Sequence, residues 1–193
     1  DEMNTTTIEM PADYEAAYEI TGEKVQVIRE NGKCYANVNL TVKEVTYQVY
    51  YKLSDSTVLK GEVKAAAVNP TITVDDLYQS EKDQLAKMFY ETAGGVQLSN
   101  NTVIVPVQKI MGEVSVEYWQ KSALFPENPS YDSMVDNGCY NKKISVWKGQ
   151  NTISKNELPN FTQACSMGYN PNKTDNTFEI DWTNPVVKVY LSY

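Results

Sequence analysis

Apolar and polar residues alternate at every second position through most of this chain, and no other feature constrains its fold as strongly. The stretch Val25 to Val42, VQVIRENGKCYANVNLTV, shows it most plainly. Asn31-Gly32 supplies two residues that accept the positive φ of a two-residue type I′ turn. Such a turn sets Glu30 opposite Lys33, Arg29 opposite Cys34, Val27 opposite Ala36 and Val25 opposite Val38. On the second strand Cys34, Ala36, Val38, Leu40 and Val42 share one face by period two. Tyr35, Asn37, Asn39 and Thr41 share the other. The expectation is that Cys34 lies on the buried face and packs as a small hydrophobe. Arg29 across from it would favour thiolate if the hairpin tip were wet.

The same period continues along the chain. TTTIEM, YEAAYEI, KVQVIR, KCYANVNLTV, TYQVYYKL and VLKGEVKAAAV read as strands, separated by Pro11, Thr21-Gly22, Asn31-Gly32 and Ser54-Asp55. Tyr47, Val49, Tyr51 and Leu53 form an inward face, with Gln48, Tyr50 and Lys52 outward. VQLS, TVIVPVQ, EVSVEYW, KISVWKG, TQACSMG, TFEIDW and PVVKVYLSY extend the list. Pro106 has no N–H to give, so its strand is expected at an edge or bulged. One segment breaks the period: in DDLYQSEKDQLAKMFYETAGG, Leu77, Leu85, Met88 and Phe89 fall near one helical face. Asp75, Asp76 or Ser80 would cap its start, and Gly94 or Gly95 its end. The expected fold is mainly β, an antiparallel sandwich-like structure with one α-helix around residues 76–93. A single domain over 1–193 is the simplest division. The alternative is two β units, 1–74 and 95–193, joined by the helix.

Composition enters as a set of exclusions. The net charge is −8, which speaks against nonspecific nucleic-acid binding. Seven acids, Asp1, Glu2, Glu9, Asp13, Glu15, Glu19 and Glu23, precede the first base, Lys24. They read as a solvated acidic arm, or as a tail for a cation or partner. There is no histidine, which removes Ser-His-Asp and Cys-His catalysis and nearly every catalytic zinc arrangement. No cofactor is implied. No apolar run is long enough to span a membrane. A chain starting at Asp1 reads as processed, which suits an extracytoplasmic protein, secreted or on the cell surface. In that compartment Cys139 and Cys165 are expected to pair as a disulfide and leave Cys34 free; a cytosolic chain would keep all three reduced.

Three groups of residues invite a functional reading. In EVSVEYWQ, Glu117 and Trp119 share a face, and in TFEIDW Glu179 and Asp181 do. Two carboxylates across a sugar, walled by aromatics, are what a glycosidase needs. Residues 170–182 carry oxygen side chains at Asn170, Asn172, Thr174, Asp175, Glu179 and Asp181, but Asp175 stands where an EF-hand loop requires Gly. A surface turn is the plainer reading. Trp119, Trp147, Tyr131, Tyr140 and Tyr169, with Glu117, form a set of aromatics and a hydrogen-bonding acid suited to a glycan. Their alternative role is to fill a β core and its rim.

The first part of the chain, MPADYEAAYEITGEKVQVIRENGKCYANVNLTVK, is similar to a pattern in uncharacterised exported β domains of Bacteroides-type bacteria. In these a "DY" segment leads to a "YEV" or "YEI" strand and then a hairpin. Asp13-Tyr14, Tyr18-Glu19-Ile20 and the Val25 to Val42 hairpin carry the match, over about residues 5–45. Met10-Pro11 stands where the pattern has Gly. The resemblance implies a secreted or surface β domain and assigns no catalytic residue. The expected function is a noncatalytic binding or structural module, with a glycan or a surface protein as partner. A small glycan-active hydrolase or lyase, and a structural subunit of an appendage or virion, are the alternatives.

Overall fold

A computed structural model describes residues 10–21, 26–121, 131–133, 141–159 and 176–191, with backbone alone at 26–28, 119–121, 131–133, 141 and 190–191. The fold is mainly β, with one helix of more than a turn among the described residues. The chain divides into two compact units, residues 1–84 with 92–107 and residues 85–91 with 108–193. No helix among the described residues is long and apolar enough to cross a membrane.

The described part of the first unit begins with a single helical turn, α1 (Ala12–Glu15), where YEAAYEI was expected to be all strand. Pro11 starts it, and its carbonyl accepts the N–H of Tyr14 and Glu15. Only Tyr18–Ile20 remains as β1, paired antiparallel with β4 (Leu40–Val42). Between them β2 (Gln26–Glu30) and β3 (Lys33–Asn37) form the hairpin of the sequence reading, rung for rung from Glu30↔Lys33 to Val27↔Ala36. Asn31 and Gly32 take φ of 48° and 78°, as a type I′ turn requires. The expected single second strand is broken at Val38-Asn39. Its apolar face is not buried: every residue of β3 is exposed, Cys34 included. Alternation fixed which side chains share a face, and among the described residues nothing buries Cys34 or Ala36 on that face.

After Lys43 the chain enters β5 (Glu44–Leu53), turns at Ser54 (φ 53°) and returns as β6 (Ser56–Ala66). On β5, Tyr47, Val49 and Tyr51 are buried and Gln48 is exposed, as the alternation requires. Beyond a 3-10 turn at Val74–Asp76 comes α2 (Gln79–Lys87). Asp76 closes that turn, accepting the N–H of Thr73 at 2.8 Å, so it does not cap the helix. The helix stops well short of Gly94. Met88 and Phe89 close back on Leu85 and Ala86, and Phe89 takes a left-handed φ of 60°. The next residues pair with β9 as β7 (Tyr90–Thr92).

β8 (Gln97–Ser99) and β9 (Thr102–Lys109) are joined by Asn100-Asn101, both at positive φ. The resulting sheet runs β6-β5-β9-β7, with β8 also on β9. It is mixed where an antiparallel sheet was expected, because β9 joins β5 in parallel, from Gln48↔Thr102 to Lys52↔Pro106. β9 is therefore an inner strand. Pro106 is accommodated because it falls on the last rung to β5 and beyond the last rung to β8, where no N–H is needed.

In the second unit β10 (Met111–Lys121) pairs antiparallel with β11 (Tyr131–Ser133) and β12 (Asn141–Trp147), and in parallel with β15 (Val186–Leu191). β13 (Thr152–Ser154) and β14 (Thr177–Glu179) form a separate pair. One core joins them: Val114, Val116, Tyr118, Val146, Ile153, Phe178, Ile180, Val187 and Val189, with Trp182 packed against it. In TFEIDW the alternation is realised, Phe178 and Ile180 being buried and Glu179 and Asp181 exposed.

Candidate functional site

Glu117 is half-buried on β10, in register with Asn141 of β12 and Lys188 of β15. Neither neighbour is an acid, so strand pairing does not give it the second carboxylate that glycoside hydrolysis needs. Glu113, two repeats of the pleat away, meets Lys143 at 3.5 Å on the surface. Asp181 accepts both the N–H and the hydroxyl of Thr183, at 3.0 and 2.6 Å, and these bonds lower its pKa. This is a side chain closing its own turn. Among the described residues no group of three or more acids or thiols is placed to hold a metal.

Trp147 ends β12, where its Cα partner is Met111. Its indole N–H donates to the carbonyl of Phe89 at 2.8 Å, and the backbone N–H of Ile110 binds the same carbonyl at 2.8 Å. The Tyr90 ring lies 5.3 Å away, and the Lys109 ammonium stands 5.0 Å over the indole. The ring also lies where a side chain on Gly149 would be, so that position needs glycine for close approach. Trp147 thus spends its donor and its ring contacts on its own chain. Trp182 does the same, donating to Gln150 O at 2.7 Å. Trp119 is placed by its backbone, opposite Ser133 and Tyr190, and Tyr131 opposite Lys121. Tyr140, Tyr169, Cys139 and Cys165 lie outside the described residues, as does the first half of the oxygen-rich stretch 170–182.

Two features were missed in the sequence. One is a buried polar group in the first unit. Glu81 is 8% exposed on α2, and its carboxylate accepts the Tyr51 hydroxyl at 2.9 Å and the N–H of Glu62 at 3.3 Å. It occupies the space a side chain at Gly61 would fill. The glycine inside an alternating strand was the available signal, since such a residue marks close approach by another group. Burial, helped by the hydrogen bond to Glu81, pushes the Tyr51 hydroxyl far above its ordinary pKa. Every polar atom here has a protein partner, which makes the group a structural clasp between helix and sheet.

The other is an apolar surface on the β1–β4 pair. Tyr18 opposes Val42 and Ile20 opposes Leu40, so these four side chains share one face. Ile20 is 47% exposed, Leu40 39% and Val42 41%. The Tyr14 ring lies 5.7 Å from that of Tyr18, tilted by 34°, and extends the patch. An isolated two-stranded pair is marginal in water, and a solvent-facing apolar patch of this kind marks a contact surface. No protein-family model matches the chain, and no curated protein is significantly similar to it.

Proposed function

We propose that this chain is a noncatalytic, extracytoplasmic module that works through contact with a protein surface, as a binding or structural component. The apolar face of Tyr18, Ile20, Leu40 and Val42, left partly exposed by the described residues, carries the reading. The absence of histidine supports it, because the chain lacks the usual proton carrier near neutral pH. So does the setting of Glu117, whose in-register neighbours are an amide and a lysine. A sandwich-like arrangement of sheets belongs to the same proposal, as the common scaffold of exported contact modules.

Photocrosslinking on intact producing cells tests it. A photoreactive phenylalanine at Leu40 is expected to give a discrete protein adduct, lost when Ile20 and Val42 are changed to Ser. The same probe at the exposed Asn151 in the second unit is expected to give none. Turnover of glycans, esters or peptides that disappears in Glu117→Gln overturns the noncatalytic reading. Glycan-array binding that disappears in Trp147→Ala, with the fold intact, moves the contact to the second unit.

A further inference from the structure

The Asn31-Gly32 turn that sets the register of β2 and β3 also brings together two groups that react with each other. Attack of the Gly32 backbone nitrogen on the side-chain amide carbon of Asn31 closes a five-membered imide ring. A side chain on the following residue would crowd that nitrogen. Gly32 has none, and no heavy atom lies within 4 Å of where its Cβ would be. Asn31 and Gly32 are both exposed, so water reaches the ring. The other described asparagines at positive φ lack so open a nucleophile. Asn69 precedes Pro70, which has no N–H, Asn100 precedes Asn101, and Asn101 precedes the β-branched Thr102. The backbone is the remaining barrier. The turn holds Asn31 left-handed at a φ of 48°, and ring closure must rotate its ψ out of that region. Among the described residues β2 and β3 pair only with each other, and every residue of β3 is exposed. A two-stranded pair of this kind is marginal in water, so little holds the turn closed.

We propose that Asn31 is a self-modification site, converted with water as co-reactant to aspartate and isoaspartate, and that the isoaspartate form opens the β2–β3 hairpin. In the first step the Gly32 nitrogen gives its proton to solvent base and bonds to Asn31 Cγ. The Cγ–Nδ2 bond breaks, and the side-chain nitrogen leaves as ammonia. In the second step water opens the ring at one of its two carbonyls. Cleavage between the nitrogen and Cγ gives aspartate. Cleavage between the nitrogen and the Asn31 carbonyl carbon gives isoaspartate, with the chain running through Cγ. Nothing is oxidised or reduced. Aspartate keeps the turn, because Asp-Gly fits type I′ as Asn-Gly does. Isoaspartate adds a methylene to the backbone and places a new carboxylate next to the exposed Glu30. The two-residue loop is then lost, and with it the register from Glu30↔Lys33 through Arg29↔Cys34 to Val27↔Ala36.

Incubation of the full chain in mildly alkaline buffer, followed by mass mapping of its peptides, tests the site. The Asn31 peptide should gain the mass of an amide-to-acid exchange at least tenfold faster than the peptides of Asn100 and Asn151. Isoaspartate, scored by enzymatic methyl transfer, should be the main product. The hairpin is followed by NMR through the cross-strand Hα–Hα contact of Arg29 and Cys34, which face each other across a non-hydrogen-bonded rung. That contact should disappear in proportion to isoaspartate and persist in Asn31→Asp, which carries the charge on an ordinary backbone. Asn31→Gly keeps a Gly-Gly turn, lacks the reacting amide and should hold the contact through the same incubation. It also serves as the control for Asn137, which precedes Gly138 outside the described residues. Conversion at Asn31 no faster than at Asn100 overturns the site. A contact that survives in the isoaspartate form, or that Asn31→Gly loses on the same schedule, overturns the opening of the hairpin.

Discussion

Glu81, Tyr51 and Gly61 show how one residue choice fixes its neighbours. A carboxylate at 8% exposure needs donors, and Tyr51 and the Glu62 N–H supply them. A side chain at Gly61 would have to displace that carboxylate from its two donors. Gly61→Ala is expected to lower stability by about 2 kcal/mol or more, measured by urea unfolding. Tyr51→Phe should cost roughly 1–3 kcal/mol, because it takes away one of two donors and leaves the carboxylate buried. An unchanged midpoint in either variant would show that Glu81 swings out to solvent. Cys34 calls for a different experiment. Its exposure predicts fast labelling of Cys34 in the native protein, so Cys34→Ser should remove one equivalent of rapidly labelled thiol. A native protein that resists labelling until denatured would return Cys34 to a buried place.

At the scale of elements, the short β7 and the early end of α2 have one cause. Phe89 in the left-handed region stops the helix, and its carbonyl is then held by two donors, Ile110 N–H and the Trp147 indole. Trp147→Phe keeps an aromatic ring and loses the indole donor, so it should cost about 1 kcal/mol in unfolding free energy. A Trp147 that served only as an open platform for a ligand would show no such cost. On β10 the alternation of buried Val114, Val116 and Tyr118 was legible in advance, because one period governs both the pattern and the strand. The parallel partner β15 was not, since any strand with an apolar face satisfies the same pattern.

Across the whole molecule the missing histidine shapes the response to pH. Burial pushes the Tyr118 hydroxyl up from 10.0 to about 12, and it also donates to Pro159 O at 2.7 Å. A raised folded pKa contributes stability that is complete below pH 10 and is lost as pH rises toward 12. The loss is on the order of 2 kcal/mol. Tyr118→Phe should flatten that alkaline limb in pH-dependent thermal melts, and the more strongly raised Tyr51 should leave a remainder. At the acid end the signs reverse. Glu157, held by the Ser154 N–H at 2.7 Å, and Asp181, held by Thr183, have lowered pKa values. Their contribution is present above the ordinary values of 4.5 and 3.8 and is lost as pH falls through the lowered ones. Between these limbs the protein should be nearly insensitive to pH. A steep transition near pH 6–7 would contradict the reading, since no side chain of ordinary pKa titrates there.

The sequence by itself determined the local terms. Asn31-Gly32 set the β2–β3 register down to single rungs, and alternation set which residues of β5, β10 and β14 share a face. Both follow from interactions within a few residues, where backbone geometry allows few choices. Only the tertiary structure decided which faces are covered and which edges are paired. Cys34, Leu40 and Val42 carry the same apolar pattern as Val49 and Tyr51, yet the first three are exposed and the last two buried. Burial depends on what another part of the chain brings across the sheet, and period two contains no information about that. The same holds for Glu81, which polarity would place on a wet surface until Gly61 and Tyr51 are seen to make room and donate to it. β9 joins β5 in parallel at Gln48 and no earlier, so among the described residues the strand from Leu40 to Tyr47 is paired on one side, a choice made by long-range pairing.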